Sequence, residues 1–345
     1  MSEPLLEVKD LRIHFFTDEG VVKAVDGVDL TIERGKTLCL VGESGCGKSV
    51  ASRAFLKIVR APGRIVSGQM LYHHEQPNGS TEVIDIAQLP EKGKEIRRIR
   101  GKEISMIFQE PMSSLSVMHT VGNQIMETLQ LHEDISKRDA HDRAIELLRQ
   151  VEIPRPDRIV DEYPFRLSGG MRQRAMIAMA LACNPTLLIA DEPTTALDVT
   201  TQAQILKLLR SLQAKYGMAM LFITHDLGVV AEIADDVAVM YLGRIVEHCD
   251  ADTVFNDPKH PYTQALLRSI PRIAAQRQNL DPISGMVPSP FRRPTGCTFH
   301  PRCAQRMAHC SAVEPTVTQL TENHQVRCLL YEAAPEPAAE TVQHG

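Results

Sequence analysis

The chain has 345 residues, of which 43% are hydrophobic and 23% are charged, as expected for a globular protein with a sizeable core. Its net charge of −5 argues against a basic nucleic-acid binder. The sequence contains no run of about 18 apolar residues and no signal-peptide layout, so we expect a cytosolic protein without membrane-spanning helices.

Short apolar runs alternate with helical patterns over the first 258 residues. Buried strands are predicted at 36–41, 187–190, 219–223 and 237–241, and short strands within 5–35 flank a polar turn. The remaining predictions are a helix from about Lys48, a polar loop at 73–81, a solvated helix at 91–102, mostly helical structure over 111–180 and a helix around 205–212. This alternation is typical of an open, mainly parallel α/β sheet.

The character of the sequence changes after Pro258. Proline becomes frequent as far as Pro301, and four cysteines gather in the same region. We therefore expect an extension at 259–332 with little regular structure. The Ala- and Glu-rich end, 333–345, is predicted to be disordered.

A glycine-rich segment follows the strand at 36–41. It reads Gly42, Glu43, Ser44, Gly45, Cys46, Gly47, Lys48 and Ser49, and it fits the phosphate-loop pattern G-x-x-x-x-G-K-[ST]. Glycines let the backbone wrap a phosphate chain, and N–H groups at the following helix N-terminus face the anion. We expect Lys48 to reach the β- and γ-phosphates of a nucleotide and Ser49 to bind Mg²⁺.

Two adjacent carboxylates end the apolar strand at 187–190. Asp191 is predicted to hold Mg²⁺ through water, and Glu192 is predicted to polarise the water that attacks the γ-phosphate. A solvated acidic turn would explain the pair if it stood alone. Behind a phosphate loop, the catalytic interpretation is favoured.

A second predicted helix opens with Ser168, Gly169 and Gly170 after Leu167. Its exposed N–H groups and the Ser168 hydroxyl form another anion-binding helix end. One nucleotide does not need two such ends from one chain, whereas two chains packed head to tail do. Taken alone, this motif is better explained as a structural helix with Ser168 as its N-cap.

Along the chain the phosphate loop comes first, the helix start at Ser168 second and the Asp191–Glu192 pair third. In that order, the three motifs resemble those of the ABC ATPase family, and the resemblance extends over about 5–258. It implies an α/β P-loop NTPase core of the RecA-like type. It also implies an antiparallel β subdomain and an α-helical signature subdomain at about 111–175. The Cys- and Pro-rich C-terminal extension at 259–332 would follow this nucleotide-binding domain.

The resemblance also implies roles for three single residues. Gln109 resembles the loop glutamine that senses the γ-phosphate and Mg²⁺, and we count it with Ser49 and Asp191 as a candidate Mg²⁺ ligand. Asp198 resembles the residue of the loop that crosses the dimer interface. His225 resembles the switch histidine.

An aromatic residue in the early β region stacks on adenine in this family. Phe15 matches that spacing best, and Phe16 is its competitor. A flat apolar ring suits adenine because stacking needs no hydrogen-bond donor. A core position for both rings is an equally good interpretation.

The extension resembles that of ATPase subunits from dipeptide and oligopeptide importers, a group that includes nickel transporters. The shared features are the segment 258–263 and the cysteines Cys297, Cys303, Cys310 and Cys328. Their spacing, C-x5-C-x6-C-x17-C, is wider than that of most zinc sites. A [4Fe–4S] cluster, zinc and unligated thiols remain open, and the resemblance favours the cluster.

Three classes of function compete. The leading one is an ATP-hydrolysing subunit that energises an importer of peptides or related solutes at the cytoplasmic face of the inner membrane. Nickel-complex or oligosaccharide import, a soluble ABC ATPase of translation or repair, and an exporter ATPase are the alternatives. The expected partners are a second ATPase subunit, distinct or identical, two permeases contacting 111–165, and indirectly a periplasmic or extracellular binding protein, but no nucleic acid.

The remaining cysteines carry smaller expectations. Cys39 and Cys183 lie in apolar stretches and are predicted to be buried, and Cys249 has no evident partner. Cys46 lies at a helix N-terminus, where a thiol pKa tends to fall. We therefore expect Cys46 to be open to alkylation.

Overall fold

The computed structural model describes residues 3–76, 78–110, 114–195, 197–269 and 283–332. The predicted disordered tail at 333–345 lies outside the described residues. Within the described part of the chain, no helix is long and apolar enough to cross a bilayer.

The strands and helices are numbered separately along the chain. The strands are β1 (Pro4–Thr17), β2 (Gly20–Glu33), β3 (Thr37–Val41), β4 (Gly63–Glu75), β5 (Thr81–Asp85), β6 (Ile104–Ile107), β7 (Leu187–Asp191), β8 (Ala219–Thr224), β9 (Asp236–Tyr241), β10 (Arg244–Asp250), β11 (Thr318–Thr321) and β12 (His324–Val326). The helices are α1 (Lys48–Phe55), α2 (Lys94–Ile99), α3 (Val121–His132), α4 (Lys137–Gln150), α5 (Pro156–Ile159), α6 (Gly169–Ala180), α7 (Val199–Tyr216), α8 (Leu227–Ile233), α9 (Ala251–Asn256) and α10 (Pro261–Arg268).

A four-stranded antiparallel sheet of order β2-β1-β4-β5 forms the predicted β subdomain. The strands that we expected to be short within 5–35 are instead two 14-residue strands, and their register is shifted at several bulges. The polar loop predicted at 73–81 is also too long, because His73 and His74 pair in β4 with Val83 and Glu82. Polar side chains fit these positions because only one face of an antiparallel sheet has to be buried.

An eight-stranded sheet of order β11-β12-β10-β9-β3-β8-β7-β6 forms the predicted α/β core. Strands β3, β6, β7, β8 and β9 run parallel, as the apolar runs predicted. Successive residues of β7 enter opposite hydrophobic clusters, with Leu188 and Ala190 on one face and Leu187 and Ile189 on the other. Burial on both faces explains why these strands read as continuous apolar runs.

Helices α3, α4 and α6 pack together in the predicted helical subdomain. Each begins at a hydroxyl residue whose side chain accepts a backbone N–H: Thr120, Ser136 and Ser168. Such caps satisfy N–H groups that have no partner inside the helix. The signature segment is therefore attached to its subdomain at a well-defined helix start.

The extension after Pro258 contains more regular structure than we expected. Helix α10 is followed by strands β11 and β12, and β12 pairs with β10 of the core sheet. Cys297, Phe299 and Cys310 join the main hydrophobic cluster. The extension therefore shares the hydrophobic core of the preceding α/β domain, which a segment without its own apolar periodicity needs for stability.

Candidate active site

The phosphate loop crosses closely over neighbouring backbone at two of its glycines. Gly42 has φ +152°, and an added Cβ would lie 2.2 Å from the carbonyl oxygen of Met240. Gly47 has φ +110°, and an added Cβ would lie 2.2 Å from the carbonyl oxygen of Ala24. At these two positions any other residue would clash with backbone. The tip of the loop, Ser44 and Gly45, is exposed.

Lys48 and Ser49 lie where the pattern predicted them, at the start of α1 directly behind β3. The Lys48 ammonium donates to the carbonyl oxygens of Gly42 and Glu43, at 2.8 and 3.1 Å. Those bonds hold the charge inside the loop, in position for phosphate oxygens. The same geometry leaves α1 with its N–H groups facing the loop.

Ser49 and Asp191 form a site that fits Mg²⁺. The Ser49 hydroxyl donates to Oδ1 of Asp191 at 2.8 Å, while Oδ2 of Asp191 is buried and has no hydrogen-bond partner among the described residues. Burial raises the pKa of Asp191, and the bond from Ser49 opposes that shift. A hard cation suits such an unpaired carboxylate oxygen, and it would neutralise phosphate charge there.

Glu192 is the centre of a polar cluster that joins three segments of the chain. Gln109 Nε2 donates to Oε2 at 2.9 Å, and the Thr195 hydroxyl donates to the same oxygen at 3.0 Å. His225 Nδ1 lies 3.3 Å from Oε1. The structure therefore brings together Glu192, Gln109 and His225, which the sequence analysis had named separately. It adds Thr195, which only its nearness to Glu192 could have indicated.

Glu192 also has a strained backbone. Its φ of +47° lies in the left-handed region, and its N–H donates to the carbonyl oxygen of Ile223 at 3.0 Å. Non-glycine residues keep such a conformation only where the surroundings enforce it, often at functional sites. The carboxylate of this residue is the one that bonds Gln109 and lies beside His225. A carboxylate so placed can accept a proton from water that attacks a phosphate.

The signature residues lie at the N-terminus of α6. Ser168 accepts the backbone N–H of Met171 at 3.3 Å, and an added Cβ at Gly169 would meet no atom within 4 Å in the part of the chain that the structure describes. An added Cβ at Gly170 would lie 2.9 Å from the Thr201 side chain, so glycine allows close contact with α7. Asp198 caps α7 through bonds to Thr201, which lower the pKa of its carboxylate.

Phe15 and Phe16 lie in β1 in different surroundings. Phe15 is half-buried against the hydrophobic cluster that contains Leu187 and Ile189. An added Cβ at Gly63 would lie 2.6 Å from its ring. Phe16 is 38% exposed, with the Arg64 guanidinium 4.0 Å from its ring centroid. The assignment of Phe15 to adenine stacking stays a prediction.

Cys46 is not the exposed thiol that we expected. It is 3% exposed, and burial raises its pKa despite the neighbouring Lys48. The sulfur packs inside the loop, 3.0 Å from where a Cβ on Gly42 would be. Desolvation therefore outweighs the helix N-terminus. Cys39 and Cys183 are buried, as predicted.

The four cysteines of the extension lie close enough to affect one another's charge. Burial raises the pKa of Cys297, Cys303 and Cys328, the last to about 12, and thiolates elsewhere in the set contribute to each increase. Backbone N–H groups oppose these increases in pKa at Cys297, Cys303 and Cys328, and the Met307 N–H donates to the Cys310 sulfur at 3.3 Å. Such donors suit thiolate ligands of a metal centre.

The structure also gathers one group that sequence reasoning missed. Among the described residues, only Glu247, Cys249 and His324 bring three or more possible ligand atoms within 4.8 Å of one another. Glu247 already accepts backbone N–H groups from Lys259 and His260, and its Oε1 lies 2.8 Å from Nε2 of His324. Its carboxylate therefore has a structural role, because it connects β10 with the extension. No local sequence pattern predicts such a long-range contact.

Comparison with known proteins agrees with this site. Residues 25–195 match a family model described as ABC transporter, and residues 246–310 match one described as oligopeptide/dipeptide transporter, C-terminal region. The chain belongs to the ABC transporter family and is an ATP-hydrolysing member of it.

The similar curated proteins share both regions. The oligopeptide transport ATP-binding protein AppD of Bacillus subtilis (strain 168) is 48% identical over 329 residues, which cover 95% of this chain and 97% of AppD. The dipeptide transport ATP-binding protein DppD of Escherichia coli (strain K12) is 47% identical over 324 residues, covering 94% of this chain and 96% of DppD.

Solved structures share the fold of the ATPase core. The cassette MJ0796, described as a dimeric bacterial ABC transporter cassette, superposes with a TM-score of 0.60 and 27% identity, covering 71% of this chain and 98% of that one. A dimeric post-hydrolysis state of MJ0796 bound to ADP and Pi gives a TM-score of 0.59. These likenesses confirm the predicted ABC ATPase fold.

Proposed function

We propose that this chain is the ATP-hydrolysing subunit of an ABC importer for peptides, held at the cytoplasmic face of the inner membrane. The observation that carries the proposal is a complete phosphate-loop and Glu192 site in a chain whose residues 246–310 match the oligopeptide/dipeptide transporter region. The similarity to peptide-transport ATP-binding proteins over nearly the whole chain favours this function over nickel import or a soluble ATPase.

The partner of this subunit is a second ATPase, distinct from this chain. The Ser168 hydroxyl accepts the Met171 N–H within its own helix start, and a Cβ added at Gly169 would meet no atom of the described residues within 4 Å, so this helix end is available to another chain's nucleotide. The dimeric MJ0796 structures support pairing of this kind. Two permeases would contact the helical subdomain, with a solute-binding protein outside the membrane.

In the proposed cycle, ATP binds to the loop at 42–49, with Phe15 on adenine and Ser49 and Asp191 holding Mg²⁺. The partner's signature helix closes over the γ-phosphate and the permease moves. Glu192 then takes a proton from the attacking water, with Gln109 and His225 fixing its carboxylate. Hydrolysis reopens the dimer.

Uptake measurements test this function. Cells that lack this chain should lose uptake of labelled peptides, and the wild-type chain should restore it. The Lys48→Ala chain, which loses a charge contact with phosphate, should not restore uptake. Unchanged peptide uptake with loss of nickel or oligosaccharide uptake would contradict the peptide assignment.

We further propose a structural [4Fe–4S] cluster on Cys297, Cys303, Cys310 and Cys328. A single tetrahedral zinc ion would hold sulfurs about 3.8 Å apart, given Zn–S bonds of about 2.3 Å. In the described part of the chain, no three of these sulfurs lie within 4.8 Å of one another. Sulfurs that lie farther apart than a single zinc ion allows favour a multi-iron cluster. Backbone N–H groups that oppose the increase in thiol pKa suit thiolate ligands.

Metal analysis tests the cluster. Protein purified without oxygen should be brown and contain iron and acid-labile sulfide, and Cys310→Ser should remove both. Cys183→Ser, at a buried cysteine outside the set, is the control and should keep the iron. Colourless protein with stoichiometric zinc would contradict the cluster.

A further inference from the structure

The C-terminal extension reaches the phosphate loop directly. Arg302 forms two charge-assisted hydrogen bonds with the carboxylate of Glu43, at 2.6 and 3.0 Å. The Arg302 side chain is 4% exposed, and that of Glu43 is 25% exposed. A paired, largely buried geometry of this kind is both directional and strong.

A carboxylate in the phosphate loop poses an electrostatic problem. Glu43 immediately follows Gly42 in the loop, and its backbone carbonyl accepts a bond from Lys48. Unpaired, its negative charge would repel the phosphate chain of ATP and compete for Lys48. Arg302 neutralises this charge and holds the carboxylate on the side of the extension.

The Arg302 guanidinium is itself held in place by several contacts. Nε donates to the carbonyl oxygen of Ser284 at 3.1 Å, and the guanidinium lies 5.9 Å from the ring centroid of Tyr241. The residue ends a short 3-10 turn, His300–Arg302, which lies between Cys297 and Cys303. Its position therefore depends on the fold of the cysteine-bearing segment.

A second contact fixes the backbone of the same loop residue. The N–H of Glu43 donates to the hydroxyl of Tyr262 at 2.9 Å, and Tyr262 is fully buried in α10. Its ring packs against Tyr241 and Phe299, with centroids 4.7 and 5.3 Å away. The aromatic cluster thus connects the phosphate loop, β9 and the extension.

We propose that the extension braces the phosphate loop for ATP. Arg302 acts as a positioning residue that neutralises Glu43, and Tyr262 acts as a positioning residue that holds its backbone. The extension thereby sets the affinity for nucleotide, while Glu192, Gln109 and His225 perform the hydrolysis.

Nucleotide affinity and turnover test the brace in the full-length chain and in its complex with the partner ATPase and permeases. Arg302→Gln should weaken MgATP binding about tenfold and raise KM, with little change in kcat, because the loop carries a free carboxylate while the hydrolytic cluster is untouched. Arg306→Gln is the matched control, since it removes the same charge from an exposed position of the same segment. It should bind ATP as the wild type does.

A double variant distinguishes the loss of charge neutralisation at Glu43 from a general loss of folding. Adding Glu43→Gln to Arg302→Gln removes the charge that Arg302 balances, so most of the lost affinity should return. Tyr262→Phe keeps the ring but removes the acceptor of the Glu43 N–H, and it should weaken binding even with the charge pair intact. Unchanged affinity in Arg302→Gln, or a loss that Glu43→Gln does not restore, would overturn the brace.

Discussion

The hydroxyl of Ser49 and the carboxylate of Asp191 are joined by a 2.8 Å hydrogen bond, although 142 positions separate the two residues. Parallel strands β3 and β7 both border β8, so the chain segments at their carboxyl ends lie at one edge of the sheet. This edge is where open α/β sheets bind ligands. The bond therefore lies at the edge where we propose that the nucleotide and its Mg²⁺ bind.

Ser49→Ala should increase the Mg²⁺ concentration needed for tight ATP binding. The change removes one candidate oxygen ligand and leaves Asp191 and Gln109 as the other candidate protein contacts of the ion. A titration of nucleotide binding against Mg²⁺ measures the effect. Lys48→Ala is the comparison, because it should weaken ATP at every Mg²⁺ concentration. Identical Mg²⁺ curves for Ser49→Ala and wild type would remove Ser49 from the metal site.

Ser168→Arg should leave ATP binding to this chain intact but block closure of the ATPase dimer. The side chain would occupy the helix end that we assign to the partner's γ-phosphate, and its bulk would keep the two chains apart. ATPase activity of the complex and ATP-dependent dimer formation by light scattering measure the effect. Full turnover by strictly monomeric protein would refute the composite site.

His260 makes stability sensitive to acid. It is buried at the start of α10, and its Nδ1 accepts the backbone N–H of Tyr262 at 3.0 Å, so it acts as a neutral cap. Burial lowers its pKa from 6.5 to about 3. Between these values the unfolded chain holds a proton that the folded chain does not. The free energy of unfolding should therefore fall by about 1.4 kcal/mol per pH unit as the solution is acidified through this range.

Denaturant unfolding at several pH values measures this contribution. His260→Asn keeps a capping oxygen but does not titrate, so its stability should depend less on pH below 6.5. His309→Asn, at an exposed histidine, is the control and should follow the wild type. Parallel pH curves for His260→Asn and wild type would show that His260 is not responsible.

The ATP site could be predicted from sequence because its parts are contiguous. Gly42 to Ser49 and the Asp191–Glu192 pair each combine a buried strand with a short chemical pattern. The Arg302–Glu43 pair could not be predicted, because its two members are 259 positions apart and no local pattern links them. Strand β12 was missed because three residues carry too little periodicity.

Burial also made one prediction from the local sequence wrong, that of a reactive thiol at Cys46. The helix N-terminus at Cys46 suggested a reactive thiol, but the close approach of the loop to β9 removes water from its sulfur. Sequence gives the neighbours of a residue along the chain, whereas desolvation depends on the segments packed around it. The same limit applies to Glu247, whose partners are His260 directly before α10 and His324 of β12.

The most direct test of the account is single-turnover hydrolysis by the Glu192→Gln chain in complex with its partner. The amide has the same shape as the carboxylate and stays beside Gln109 and His225. It cannot accept the proton of the attacking water. ATP should bind with near wild-type affinity, hydrolysis should slow by about 10²- to 10⁴-fold, and ATP-bound dimer should accumulate. Hydrolysis at the wild-type rate would contradict the assignment of Glu192, and with it the proposed chemistry of the site.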